Sequence, residues 1–250
     1  MYSGAQVKSR ADQPAFIMAS TGETVSYAEL EARSNRLAHF LRARGLKRLD
    51  HYSIFMENNS RYLESCGAGE RAGLYYTCIN SYLKADEVAY IINNSESRVL
   101  IFSEEKRTVA IEALKQCPKV EVSLVVDGPG DGDKILNLDE AVRDFPATPI
   151  ADESLGCAML YSSGTTGQPK GIVRPLPEQP PVQGLPLMDF LLKLWRYRDG
   201  LIYLSPAPLY HSAPQAAVSL AIRSGGTEII MEKFDPEHYL QLVEKYLPTH

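Results

Sequence analysis

The stretch Met159-Leu160-Tyr161-Ser162-Ser163-Gly164-Thr165-Thr166-Gly167-Gln168-Pro169-Lys170-Gly171 follows an apolar, strand-like run and gathers hydroxyls, glycines and one lysine into a short loop. Each residue type offers something to a polyanion. Gly164 and Gly167 have no Cβ, so the backbone turns tightly and brings N–H groups against oxygen atoms. Ser162, Ser163, Thr165 and Thr166 add hydroxyl donors, whose oxygens also suit a magnesium ion as neutral ligands. Lys170 supplies fixed positive charge, and Pro169 stiffens the chain just ahead of it. A Walker loop requires glycine, four residues, then Gly-Lys-Ser/Thr. Five positions after Gly164 stands Pro169, and Lys170 is followed by Gly171, so that pattern fails twice. A plain Gly/Ser/Thr surface loop is the rival reading, and it leaves the lysine and the proline unexplained.

The run from Leu155 to Leu160 reads as the strand that delivers this loop. In open α/β sheets ligands gather beyond the carboxyl ends of strands, which suits the placement. Upstream, strand candidates at Ala15–Ala19, Tyr52–Met56, Tyr75–Ile79, 98–102 and 120–126 alternate with helix candidates at Arg61–Ala72, 85–93 and 105–116. That alternation predicts an α/β fold, with a mostly parallel sheet covered on both faces. Ser26 and Glu29 form a capping box for a helix carrying Leu30, Leu37 and Leu41 on one stripe, and Gly45 ends it. The interval 127–133 is a loop of turn formers with solvated acids, and Leu138–Phe145 is a short helix. Downstream, the proline-rich interval Pro175–Pro186 predicts an exposed excursion before a helix over Met188–Tyr197, where Trp195 serves packing. Strand 201–204, a loop with Tyr210 and His211, helix 215–223, strand 228–232 and a helix opened by Asp235 and Pro236 follow.

A chain of 250 residues with 44% hydrophobic content can bury about three-quarters of its unfolded surface. The formal charge of -5 and the lack of a basic block argue against nucleic acid as a partner. Cys66, Cys78, Cys117 and Cys157 are spaced too widely for a Cys-x-x-Cys pair, and nothing at the amino end resembles a secretory signal. They read as buried, reduced thiols of a cytoplasmic enzyme. No apolar run approaches the ~18 residues needed to span a bilayer, which leaves peripheral membrane contact open. Oligomeric state is not written in the sequence.

The run Tyr161 to Gly171 resembles, at every defining position, the phosphate loop of the adenylate-forming (AMP-binding) enzymes: acyl-CoA synthetases, luciferases and amino-acid adenylation domains. Ser205-Pro206-Ala207-Pro208-Leu209-Tyr210-His211-Ser212-Ala213-Pro214 resembles the segment that lines the carboxylate pocket of acyl-CoA synthetases. Thr24-Val25-Ser26-Tyr27-Ala28-Glu29-Leu30, continued by Ser34-Asn35-Arg36-Leu37-Ala38, resembles the family's entry helix. Met56-Glu57-Asn58-Asn59 and Tyr75-Tyr76-Thr77-Cys78-Ile79-Asn80 are most similar to fatty-acyl or bile-acid-type CoA ligases.

The resemblance implies the amino-terminal body of that fold, with parallel or mixed sheets covered by helices. It divides into a first α/β half over 1–150 and, over 151–250, the phosphate loop and the start of a second half. Relatives are roughly twice as long, so the segment supplying a magnesium-binding glutamate, the ribose-binding aspartate and the carboxy-terminal lid with its lysine are expected outside these residues. Lys170 cannot stand in for the lid lysine. The implied activity is ATP-dependent activation of a fatty or similar apolar carboxylic acid to acyl-AMP and pyrophosphate, followed by transfer to coenzyme A. Ser162, Ser163, Gly164, Thr165, Thr166, Gly167 and Lys170 would hold the nucleotide, with Ser162 also touching magnesium. Tyr210 and His211 would line the acid pocket, His211 positioning the carboxylate. A shortened, non-catalytic remnant that binds nucleotide or a partner is a second reading, and an amino-acid adenylation domain a third.

Overall fold

Ser26 and Glu29 cap the first long helix as their spacing predicts. Glu29 N–H donates to Ser26 Oγ at 3.2 Å, and Ser26 N–H donates to Glu29 Oε2 at 2.9 Å. The helix ends where Gly45, at a φ of +78°, takes a conformation that glycine adopts without penalty. The computed structural model describes residues 1–162 and 168–250.

In chain order the first elements are α1 (Gly4–Arg10), β1 (Pro14–Met18), β2 (Thr24–Ser26), α2 (Tyr27–Ala43), β3 (His51–Phe55), α3 (Tyr62–Arg71) and β4 (Tyr75–Cys78). There follow α4 (Ala85–Asn94), β5 (Val99–Ser103), α5 (Arg107–Leu114), β6 (Val122–Val126), β7 (Ile135–Asn137) and α6 (Leu138–Val142). The chain goes on through β8 (Cys157–Ala158), β9 (Leu160–Ser162), β10 (Lys170–Ile172), α7 (Pro186–Leu194), β11 (Ile202–Ser205), α8 (Ser212–Arg223), β12 (Thr227–Ile230) and α9 (Pro236–Tyr246).

Two principal sheets form, where the alternation predicted one. The larger is six-stranded and wholly parallel, in the order β7-β6-β5-β3-β4-β8. Its central strands are apolar runs buried along their whole length, as a sheet covered on both faces requires. The second sheet runs β11-β12-β1-β2 and is mixed, with β1 parallel to β12 and antiparallel to β2. Strand β1 from the amino end thus pairs with a strand more than two hundred residues later, a contact with no local signal. Short β2 and β7, helix α1 and the β9–β10 ribbon also escaped the sequence pattern, since a three-residue strand has too few positions to show a period.

One core joins both sheets. Phe16, Val25 and Ile230 of the mixed sheet share it with Ile54, Tyr76 and Leu124 of the parallel sheet, through Leu30, Leu37 and Leu41 of α2 and Leu63 of α3. The far face of the parallel sheet packs on α4 and α5, and the far face of the mixed sheet packs on α9. Helix α3 is buried on every side, so its charges need partners. Arg71, fully buried, donates Nη1 to Glu31 Oε1 at 2.6 Å and Nη2 to Glu31 Oε2 at 3.0 Å, and also reaches Asn35. Burial opposes ionisation of Glu70, but the Met1 ammonium and Arg223 of α8 outweigh it and hold its carboxyl down at about 2. That cluster ties the buried helix to the second half of the chain.

Candidate nucleotide and acid site

Gly156 decides how the loop-bearing segment meets the sheet. A Cβ at this position would lie 2.1 Å from the Gly69 carbonyl oxygen and 2.6 Å from that of Leu74, so only glycine lets the two backbones come together. Gly156 N–H donates to the Glu70 carbonyl at 2.8 Å, and Cys157 N–H to the Leu74 carbonyl at 3.1 Å. Strand β8 thereby seats on β4 and becomes the edge of the parallel sheet. The predicted single strand over Leu155–Leu160 is interrupted at Met159: β8 joins the parallel sheet and β9 leaves it to pair with β10.

In this antiparallel ribbon Lys170 faces Ser162, Gly171 faces Tyr161 and Ile172 faces Leu160. Ser162 and Lys170 are both exposed, at the end of the ribbon where the chain passes through 163–169. Helix α4 secures both strands. Tyr161 Oη donates to Asn94 Oδ1 at 2.6 Å, and Tyr90 Oη donates to the Pro169 carbonyl at 3.1 Å. Burial, with the neighbouring Tyr90, pushes the Tyr161 phenol up to about 12, so it stays a neutral donor. Tyr90 and Asn94 lie four apart and face the same way, the one cue by which the sequence could have flagged them. Ser163, Gly164, Thr165, Thr166 and Gly167 lie outside the described residues.

The second group of predicted residues follows β11. Asn58 fixes its backbone: Nδ2 donates to the Ala207 carbonyl at 3.1 Å and to the Met231 carbonyl at 2.9 Å, while Leu209 N–H donates to Asn58 Oδ1 at 2.9 Å. Asn58 was not singled out for this role, because its partners are remote in sequence. Helix α8 begins at Ser212, three residues before the predicted start, and makes His211 its N-cap residue. The imidazole makes no capping hydrogen bond and is exposed, with its ring centroid 4.4 Å from that of half-buried Tyr210. Burial and then Tyr82 raise the Tyr210 phenol above its ordinary range.

Immediately past His211 lies an apolar cleft of about 500 Å³, lined by Ala213 and Ala217 of α8, Tyr203 and Pro206, and Trp195 and Tyr197. Trp195 is therefore a cleft wall as well as a packing residue. His250 also lines the cleft, and its Nε2 lies 3.1 Å from the Trp195 carbonyl oxygen. His51 is half-buried and stacked on Tyr75 at 4.8 Å. The structure pairs Ser162 with Lys170 on the β9–β10 ribbon and Tyr210 with His211 in the segment between β11 and α8, and none of the four lines the cleft. Among the described residues no group of three or more His, Cys, Asp or Glu side chains could hold a metal ion. No helix there is long and apolar enough to cross a membrane.

A parallel sheet extended at its edge by a ribbon that exposes Ser162 and Lys170, beside a mixed sheet with an apolar cleft, places the chain in the α/β class. Residues 4–250 match the AMP-binding enzyme family, and the chain belongs to it. It is 30% identical over 238 residues to the long-chain-fatty-acid--CoA ligase FadD13 of Mycobacterium tuberculosis, covering 92% of this chain and 44% of that protein. It is 29% identical over 235 residues to a feruloyl-CoA synthase of Amycolatopsis sp, covering 90% of this chain and 42% of that protein. The inhibitor-bound crystal structure of the N-terminal domain of FACL13 from Mycobacterium tuberculosis superposes with a TM-score of 0.80 at 25% identity, covering 97% of this chain and 59% of that one. The fold is thus the amino-terminal body of the adenylate-forming enzymes, and the chain spans less than half the length of these curated relatives.

Proposed function

We propose that the chain is the nucleotide- and acid-holding part of an acyl-CoA synthetase that activates a fatty or similar apolar carboxylic acid with ATP and passes the acyl group to coenzyme A. The observation that carries this reading is the register of the ribbon, which makes Lys170 and Ser162 direct cross-strand partners on either side of the Gly/Ser/Thr stretch in sequence. The apolar lining of the cleft beyond His211 supports a hydrophobic acid, and the fatty-acid and feruloyl ligases among its relatives carry acids of that character.

Activation joins a carboxylate oxygen to the α-phosphorus while the bond to pyrophosphate breaks, so negative charge grows on the departing group. On this reading Lys170 and the hydroxyls from Ser162 to Thr166 hold the β and γ oxygens as that charge grows, since electrostatic stabilisation of developing charge lowers such barriers most. Ser162 offers magnesium one exposed neutral oxygen, which fits an ion that takes its other ligands from phosphates and water. Bound there, magnesium would neutralise phosphate charge. His211, at the open end of α8 with a free imidazole, positions the acid's carboxylate, and Tyr210 shapes the wall beside it.

Two measurements test the reading. Calorimetry on the 250-residue chain should show binding of ATP with magnesium, and absence of binding counts against the nucleotide site. A hydroxylamine trap on a protein that adds the family's lid domain should yield hydroxamates of fatty acids. The chain alone should yield none, and hydroxamates of amino acids only would make this an amino-acid adenylation domain.

A further inference from the structure

Cys66 of α3 and Cys78 at the end of β4 hold their sulfurs 3.8 Å apart, and both side chains are buried. Twelve residues separate them, so no cysteine motif announces the contact. Gln215 of α8 donates Nε2–H to Cys78 Sγ at 2.9 Å and lies 3.4 Å from the Leu209 carbonyl oxygen. One amide thus links the sulfur pair to the backbone that carries Tyr210 and His211. Burial opposes ionisation of both thiols, and Cys66 is raised well above its ordinary range. For Cys78, burial is outweighed by its hydrogen bonds with Cys66 and Gln215, which lower it and distinguish the two sulfurs chemically.

We propose that Cys66 and Cys78 form an oxidative modification site, which a hydroperoxide closes to an intramolecular disulfide, withdrawing Cys78 Sγ from Gln215 and loosening the Leu209–His211 segment. The consequence for acid binding rests on the reading of that segment given above; the modification itself does not. In the first step the Cys78 thiol gives up its proton and its thiolate attacks a peroxide oxygen; the O–O bond breaks, a sulfenic acid forms, and the leaving hydroxide takes up that proton as one water. Cys66 sulfur then attacks the Cys78 sulfur, the S–O bond breaks, and the hydroxyl departs with the Cys66 proton as a second water. Two thiols lose two electrons and one hydrogen peroxide is reduced to two waters. A disulfide needs its sulfurs at about 2.05 Å, so closure shortens the present 3.8 Å contact.

The test uses the purified chain treated with hydrogen peroxide, alkylated under denaturing conditions and digested without reduction. The expected product is a peptide linking Cys66 to Cys78, lighter by two hydrogens, reversed by dithiothreitol and absent from the Cys66→Ser and Cys78→Ser variants. Cys117 and Cys157, also buried and free, serve as internal references and should remain alkylatable. Hydrogen–deuterium exchange across Leu209–Gln215 should rise several-fold in oxidised wild type and stay unchanged in treated Cys66→Ser. Free alkylation of Cys66 and Cys78 after oxidant, or cross-links only between molecules, would overturn the site. A disulfide with unchanged exchange at Leu209–Gln215 would overturn its coupling to the segment. Neither readout involves acid or nucleotide, so failure here is distinguishable from failure of the ligase reading.

Discussion

Ser162 and Lys170 are direct cross-strand partners, and the glycine-rich stretch of the sequence lies between them. The pairing turns two residues eight positions apart into a fixed frame for whatever the intervening backbone holds. Because both side chains are exposed, their removal should act on ligand and leave the fold intact. Lys170→Ala is expected to weaken binding of magnesium ATP by about 1.5–3 kcal/mol, the value of a hydrogen bond to a charged group, and Ser162→Ala by about 1 kcal/mol. Calorimetry with matched melting curves checks this, and wild-type affinity in Lys170→Ala would remove the ribbon from the nucleotide site.

Ala217 keeps the cleft open beside Tyr203. Ala217→Phe should fill it and reduce affinity for a long-chain acid about tenfold or more, equivalent to about 1.4 kcal/mol, while nucleotide affinity stays the same. Trp195, the one tryptophan of the chain, lies on the cleft wall and reports occupancy through its fluorescence. If acids change that fluorescence equally in both proteins, the acid binds elsewhere.

Gly156 lies too close to the Gly69 and Leu74 backbones to accept a side chain. Gly156→Ala is expected to cost about 3 kcal/mol by forcing β8 off β4, the upper part of the usual range for overpacking. Denaturant unfolding should show a lower midpoint at an unchanged slope. A variant of normal stability would mean that β8 is not held at this edge.

Glu228 is fully buried in β12, opposite Phe16 and Tyr203, and neither carboxyl oxygen has a hydrogen-bond partner among the described residues. Burial raises its carboxyl well above the ordinary range. The folded chain therefore keeps a proton that the unfolded chain releases, and stability falls as pH rises from the ordinary carboxylate range towards the folded value. Glu228→Gln removes this titration. Wild type and variant should converge in acid and diverge above it in favour of the variant, by at most about 1.4 kcal/mol per pH unit. Parallel stability curves from pH 4 to 8 would show that Glu228 does not titrate on unfolding.

How much could be read in advance depended on range. The capping box of Ser26 and Glu29 and the alternating apolar runs of the parallel sheet were legible, because their causes lie within a few residues of one another. The Asp235 cap was legible for the same reason: its side chain accepts from His238 N–H at 2.8 Å, one turn away. Asn58 and Gln215 were not, because each acts through hydrogen bonds to backbone or sulfur more than a hundred residues distant. At the candidate site the residue types could be named, but the break at Met159 and the support from Tyr90 and Asn94 could not.

Residue order alone set the local chemistry of this chain: which segments could bury an apolar face, where helices could start, and that one stretch combined glycines with hydroxyls and a positive charge. Tertiary structure decided the neighbours. It placed β1 beside β12, set Lys170 across from Ser162, opened the cleft behind His211 and brought Cys66 against Cys78. Propensity and capping act over one turn of backbone, whereas pairing and packing depend on which surfaces the whole chain buries together.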